Sequence, residues 1–260
     1  MMIAIITFFF GTVFGSFLNV CIYRLPRKIS LITPGSFCPK CGTHIPWYFN
    51  IPIISYIILR GECHYCQQPI SIRYPIIELL TALVTLVSYF KFGISGEFVF
   101  YTVFAYFLIV ISFIDLSTQM IYNKLLVLLL VVGVILNFIF DIIPWQEALL
   151  GVISGMVLML LFALIGYVLF RKESLGMGDV KFAGVAGFFL GWKLIGVAIF
   201  VGFFLAFIFI LLLMFSKRIS MGVYIPMGPF LVLSILIFVY WGSSILQLYL
   251  NWVIKNGALF

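Results

Sequence analysis

Leu175-Gly176-Met177-Gly178-Asp179-Val180-Lys181 lies between two long apolar runs. Its two glycines let the backbone turn tightly and approach a neighbour closely. Asp179 then falls in the first turn of the helix that follows, where the helix dipole favours an anion. A carboxylate at the mouth of a membrane helix is costly to bury and marks a functional site by default. The plainer reading is an aspartate capping a helix at a loop. The chain on either side decides the setting. Of its 260 residues, 65% are hydrophobic and 9% are charged, the composition of a polytopic membrane protein. The net charge of +7 does not imply a nucleic-acid partner, because the basic residues flank apolar spans and read as topology signals.

Outward from this stretch, apolar runs at 2–23, 76–92, 98–113, 125–140, 149–170, 180–191, 194–215 and 230–250 predict an all-α fold of eight transmembrane helices in the lipid bilayer. The first run has no basic n-region and no small-residue cleavage site, so it is expected to remain as an anchor. Arg24, Arg27 and Lys28 follow it, which puts the N-terminus outside and the next segment in the cytoplasm. On this path twelve of the fifteen basic residues fall inside, and Lys91, Lys193 and Lys255 outside. Both termini are then outside. Asp115 and Asp179 come out at matching depth on the cytoplasmic side, and Asp141 on the other. Two carboxyls around one water cannot both ionise easily, so they share a proton. One serves as general base and the other donates to a carbonyl. Gly11 with Gly15, and Gly151 with Gly155, form small-x-x-x-small pairs that let helices approach closely.

Residues 24–75 are the one sizeable polar segment. Prolines at 26, 34, 39, 46, 52, 69 and 75 argue against long helices there. The segment carries Cys38-Pro-Lys-Cys41 and Cys63-His-Tyr-Cys66, 21 residues apart. Two such knuckles read as a zinc-ribbon-like site with Cys38, Cys41, Cys63 and Cys66 as ligands and structural zinc as the metal. So small a lobe has little core, and metal would do much of its folding. Disulfides are disfavoured in a cytoplasmic loop. Cys21, inside the first span, reads as packing, and His64 as a surface residue.

Together these segments resemble the bacterial type IV prepilin leader peptidases, an intramembrane aspartic protease family. The likeness runs through Gly15-Ser-Phe-Leu-Asn-Val20, Arg24-Leu-Pro26, both knuckles, Asn50-Ile-Pro-Ile-Ile-Ser55, Arg60-Gly-Glu-Cys63 and Arg73-Tyr-Pro-Ile-Ile-Glu78. It continues through Asp115, Gly176-Met-Gly-Asp179-Val-Lys181 and Ile225-Pro-Met-Gly-Pro-Phe230. One departure is Tyr122 after Ile121, where the family usually has Ile-Pro.

The resemblance implies Asp115 and Asp179 as the catalytic pair of a multi-pass bacterial cytoplasmic (inner) membrane enzyme. It implies removal of the basic leader from type IV prepilins or pseudopilins, then methylation of the new N-terminus from S-adenosylmethionine. The organisation follows as a first helix at 1–23, a zinc-binding segment at 24–75 and a seven-helix protease domain at 76–260. Gly176, Gly178, Lys181 and Glu78 are the expected substrate-binding residues, with Glu62 a further acid that could meet a basic leader. No glycine-rich strand-turn-helix fingerprint marks a methyl-donor site.

Three alternatives are distinguishable. A peptidase without methyl transfer would keep the aspartates alone. A proton-coupled transporter would use them as a relay, but would more naturally show inverted repeats and broken helices at the midplane. A presenilin-type protease shares Gly-x-Gly-Asp, yet has Tyr before its first aspartate and a Pro-Ala-Leu motif. Here Ile114 precedes Asp115, and the late motif is Pro226-Met-Gly-Pro229.

Overall fold

Apolar runs this long must close their backbone hydrogen bonds internally when no water is at hand, and helices do so. The computed structural model describes residues 1–171, 175–216 and 225–257. Its helices are α1 (Met2–Arg24), α2 (Ile54–Ile58), α3 (Arg73–Phe92), α4 (Gly96–Thr118), α5 (Asn123–Phe140), α6 (Trp145–Phe170), α7 (Met177–Phe215) and α8 (Gly228–Gly257), with a single 3₁₀ turn at Trp47–Phe49. Lys172, Glu173, Lys217 and Arg218, and the side chain of Lys255, lie outside the described residues.

Seven of these helices are long and apolar enough to cross a membrane. The sequence led us to expect eight spans. The difference lies in α7, which carries the runs at 180–191 and 194–215 on one element. At 39 residues an unbroken helix would be about 58 Å long, close to twice the apolar thickness of a bilayer. It is interrupted at Gly191, whose φ of 70° and ψ of 169° are not helical. Only glycine occupies that region readily.

The chain divides into two compact units, Met1–Ile114 and Asp115–Phe260. In the first, α1 packs on α3. Gly11 faces Ala82 and Thr85, and Gly15 faces Glu78 and Thr81, so closely that a methyl group at either would strike the α3 backbone. Thr81, Thr85 and Ser88 are fully buried in α3, and each hydroxyl donates to the carbonyl four residues back. These polar groups therefore need no water.

In the second unit, α6 and α5 pack on α7, and α7 on α8. Gly151 and Gly155 of α6 lie against the backbone of Gly187 and Ala183, which is what the small-x-x-x-small pattern there predicted. Gly133 of α5 makes room for the ring of Phe189. The outer faces stay apolar: Val127, Val131, Ile135 and Phe138 of α5 are exposed while Leu125, Leu129 and Asn137 are buried. An apolar surface of that extent suits lipid rather than water. Beyond α5, Asn137 donates to the Ile143 carbonyl and accepts from its N–H, closing the turn that contains Asp141.

Candidate active site and cysteine cluster

Asp115 lies in the last turn of α4, and its backbone carbonyl accepts from Gln119. Asp179 is the third residue of α7, with Gly176 as the N-cap. Both belong to the second unit. Their exposures are 5% and 7%, low for aspartates, which are seldom buried without a partner. The Asp115 Oδ2 accepts the backbone N–H of Gly228 at 3.0 Å. Gly228 is the first residue of α8, so Asp115 meets the positive end of that helix. Asp179 lies in the corresponding end of α7, and its carboxylate interacts with the Gly176 amide and with Asp115. Two helix N-termini thus face two carboxylates, the arrangement that best tolerates negative charge in a dry setting.

Each glycine of the quoted stretch has a separate geometric role. A side chain at Gly178 would begin 3.1 Å from Ile121, in the turn between α4 and α5. At Gly176 it would lie 3.4 Å from Asp179 Oδ2. Lys181 is exposed and donates from Nζ to Asn123 Oδ1 at 3.2 Å, tying α7 to the start of α5. The Tyr122 that stands in place of proline has φ −79° and ψ 119°. Proline would hold nearly the same φ, so the turn survives without the ring. Asp141 is the exposed, left-handed C-cap of α5. The 18 residues of α5 place it about 27 Å along the helix from the Lys181–Asn123 end.

Glu78 belongs to the first unit, is 8% exposed, and accepts the Ile53 N–H at 2.7 Å. Ile53 has φ 62°, a genuine outlier for a β-branched residue. Glu78 thus holds a strained loop in place. Glu62 is exposed, in an isolated bridge with Pro69.

Gly228, to which the sequence alone assigns no role, completes the aspartate site. The Gly-Pro pair after Met227 was the available signal. Its contact with Asp115 spans 113 residues, and no local pattern announces it.

The two knuckles are near copies. Phe37 bridges His44 and Glu62 bridges Pro69. Within them Gly42 N–H donates to Cys38 and Cys38 N–H to Thr43, while Gln67 donates to Cys63 and Cys63 to Gln68. Among the described residues the lobe's strand pairing consists of these two bridges. The four Sγ atoms lie within 4.8 Å of one another, with Cys38 and Cys66 at 3.9 Å. Sulfurs in a tetrahedral zinc site are about 3.8 Å apart, so the set fits zinc. All five cysteines are free, and a disulfide would need sulfurs near 2 Å.

Thr43 bonds, from hydroxyl and backbone, hold the Cys41 thiol down at about 6. The Cys66 and Tyr65 amides lower Cys63. Cys66 is pushed up to about 11, against its Gln68 amide bond, by burial and the three neighbouring sulfurs. Cys21 is buried in α1. His64 is exposed, its ring 4.6 Å from Phe49.

Seven helices long and apolar enough to cross a membrane, two buried carboxylates and a four-cysteine lobe between the first and third helices define a polytopic membrane protein. Residues 9–92 match the bacterial peptidase A24 N-terminal domain, and residues 102–215 match the type IV leader peptidase family. A prepilin leader peptidase/N-methyltransferase of Myxococcus xanthus is 36% identical over 216 residues, 83% of this chain and 64% of that protein. The chain therefore spans a little under two thirds of that relative. One from Legionella pneumophila is 32% identical over 94% of this chain and 93% of its own length. One from Neisseria gonorrhoeae is 34% identical over 86% and 85%. No solved structure matches. The chain belongs to the type IV leader peptidase family.

Proposed function

We propose that the chain is an intramembrane aspartic endopeptidase that removes leaders from type IV prepilins or pseudopilins at the cytoplasmic face. The observation that carries this reading is the buried pair, Asp115 bonded to the first residue of α8 and Asp179 in the first turn of α7. The ionised carboxyl takes a proton from water as that water attacks the scissile carbonyl carbon. The protonated carboxyl donates to the carbonyl oxygen, and the intermediate collapses with protonation of the leaving amine. The pair titrates as a unit. Gly176, Gly178 and Lys181 shape the mouth through which the substrate backbone enters.

A prepilin has a basic leader in water and an apolar helix in lipid, so its cleavage site lies at that interface. The topology we propose has α7 crossing twice, turning at Gly191, which gives eight crossings with both termini outside. The Lys193–Glu147 pair at 3.2 Å then lies on the outer side. Residues 24–75 form the cytoplasmic lobe, with structural zinc on Cys38, Cys41, Cys63 and Cys66, and 76–260 the protease portion.

Methyl transfer to the new N-terminus, with S-adenosylmethionine as donor, is the second activity. It is supported by the names of the relatives and by the match of residues 9–92 to the bacterial peptidase A24 N-terminal domain. Purified protein incubated with a prepilin and the donor tests both activities by mass spectrometry. The expected product has lost its leader and gained one methyl. Loss without the methyl would leave a peptidase only. An intact substrate would remove the proposal.

A further inference from the structure

Within the first unit, α1, the start of α3 and the cysteine lobe enclose a partly open cleft of about 100 Å³. Arg24 and Glu78 both line it, and their exposures are 4% and 8%. They carry opposite charges, yet the ion pair found among the described residues is Lys193–Glu147. Arg24 donates from Nη1 to the Ser30 carbonyl and from Nη2 to the Gly35 carbonyl, each at 2.8 Å. Its position is fixed, its charge is not neutralised, and three of its five N–H groups remain. Glu78 commits Oε2 to Ile53, which leaves Oε1 for the cleft. A buried charge without a counter-charge is expensive to maintain. Two such charges of opposite sign, held apart on one small cleft, complement a ligand that brings both.

We infer that this cleft receives the α-amino-acid end of the methyl donor, with its ammonium toward Glu78 and its carboxylate toward Arg24. The inference rests on the methyl-transfer half of the proposed function. The enclosed volume is below the roughly 300 Å³ at which sites for drug-sized ligands begin. It therefore takes one end of the donor and not the nucleoside. Tyr23 and Tyr74 also line the cleft, and the Arg27 guanidinium lies over the Tyr23 ring at 4.1 Å. Phe37 already faces Arg24 at 5.6 Å. The new pilin N-terminus is a weaker fit, because it supplies an ammonium with no carboxylate and would leave Arg24 without a partner.

The test is equilibrium dialysis of S-adenosylhomocysteine and of adenosine against the full chain in lipid nanodiscs. Adenosine lacks the amino-acid end. Two charge-assisted contacts at about 1.5 kcal/mol or more each predict a wild-type preference of roughly 100-fold for S-adenosylhomocysteine. Glu78→Gln retains an acceptor for Ile53 and removes the charge, and should narrow that preference about tenfold. The ratio does not depend on the fraction of protein that is folded. Ser36→Phe, which fills the cleft without changing charge, should weaken S-adenosylhomocysteine at least tenfold while leader removal at the aspartates continues. A preference unchanged in Glu78→Gln, in a wild-type protein that methylates pilin, would overturn this site and leave the methyl-transfer reading standing. A wild-type protein that neither binds the donor nor methylates would remove both.

Discussion

Gly228→Ala tests the geometry around Asp115 with one methyl group. An ideal Cβ at Gly228 would lie 2.5 Å from Asp115 Oδ2, 3.0 Å from Cγ and 3.2 Å from Cβ. Ordinary contact begins at 3.4 Å, so the carboxylate or the α8 terminus must yield about 0.9 Å. The Gly228 N–H bond to Oδ2, 3.0 Å long, cannot survive that displacement unchanged. Gly228 is not among the residues with positive φ, so alanine brings no backbone strain, and it is the better helix former. The loss therefore falls on the site. A hydrogen bond to a charged group contributes about 1.5–3 kcal/mol, and a 1 Å displacement of a catalytic group costs about 100-fold. Cleavage should fall about 100-fold or more, while stability in detergent falls by no more than the lost bond, about 1.5–3 kcal/mol. Gly196→Ala is the control: its Cβ would meet only Leu158, at 3.8 Å, and activity should stay near wild type. The assay is the initial rate of leader removal, followed by mass spectrometry, on protein of matched helix content. A Gly228→Ala enzyme within threefold of wild type would refute the placement of Asp115 against the α8 terminus.

Asp115→Asn and Asp179→Asn should each abolish cleavage while the protein still inserts, and Asp141→Asn should leave the rate nearly intact; equal inactivity of all three, measured in the same membranes, would contradict the assignment. Metal analysis of protein purified without chelator should find about one zinc per chain, unchanged by Cys21→Ser and lost with Cys38→Ser and Cys41→Ser together. Because the ligands bind as thiolates, that zinc should leave as the pH falls through the range in which they protonate, and metal retention in acid would count against a thiolate site. Gly191→Ala has steric room, with Glu147 no closer than 3.7 Å, but must adopt φ 70°. It should destabilise the protein by about 1–3 kcal/mol through backbone strain alone, and an unshifted melting temperature would show that α7 does not need that turn.

What could be read from the chain divides along one physical line. Signals that act on consecutive residues survive in sequence. Apolar runs locate α1, α3, α5 and α6, and the starts of α4 and α8, to within a few residues, because lipid rewards length and hydropathy directly. The paired knuckles predict converging sulfurs, because each closes through its own tight turn. The count of basic residues puts Asp115 and Asp179 on one side of the membrane, and the structure buries both in the second unit.

Signals that depend on a distant element do not survive. Glu78 reads from the sequence as a substrate-binding acid at the head of a span, and only the fold shows its carboxylate accepting the Ile53 N–H. Lys193 suggested a turn, but the residue that breaks α7 is Gly191, since charge marks a boundary and φ makes it. Gly15 was legible as a close-packing residue but not as the neighbour of Glu78. That contact has a consequence. The α1–α3 seam that brings the two backbones together also holds Glu78 in place, across the cleft from Arg24. A larger residue at Gly15 should therefore disturb donor binding, because it would displace the α3 backbone that carries Glu78.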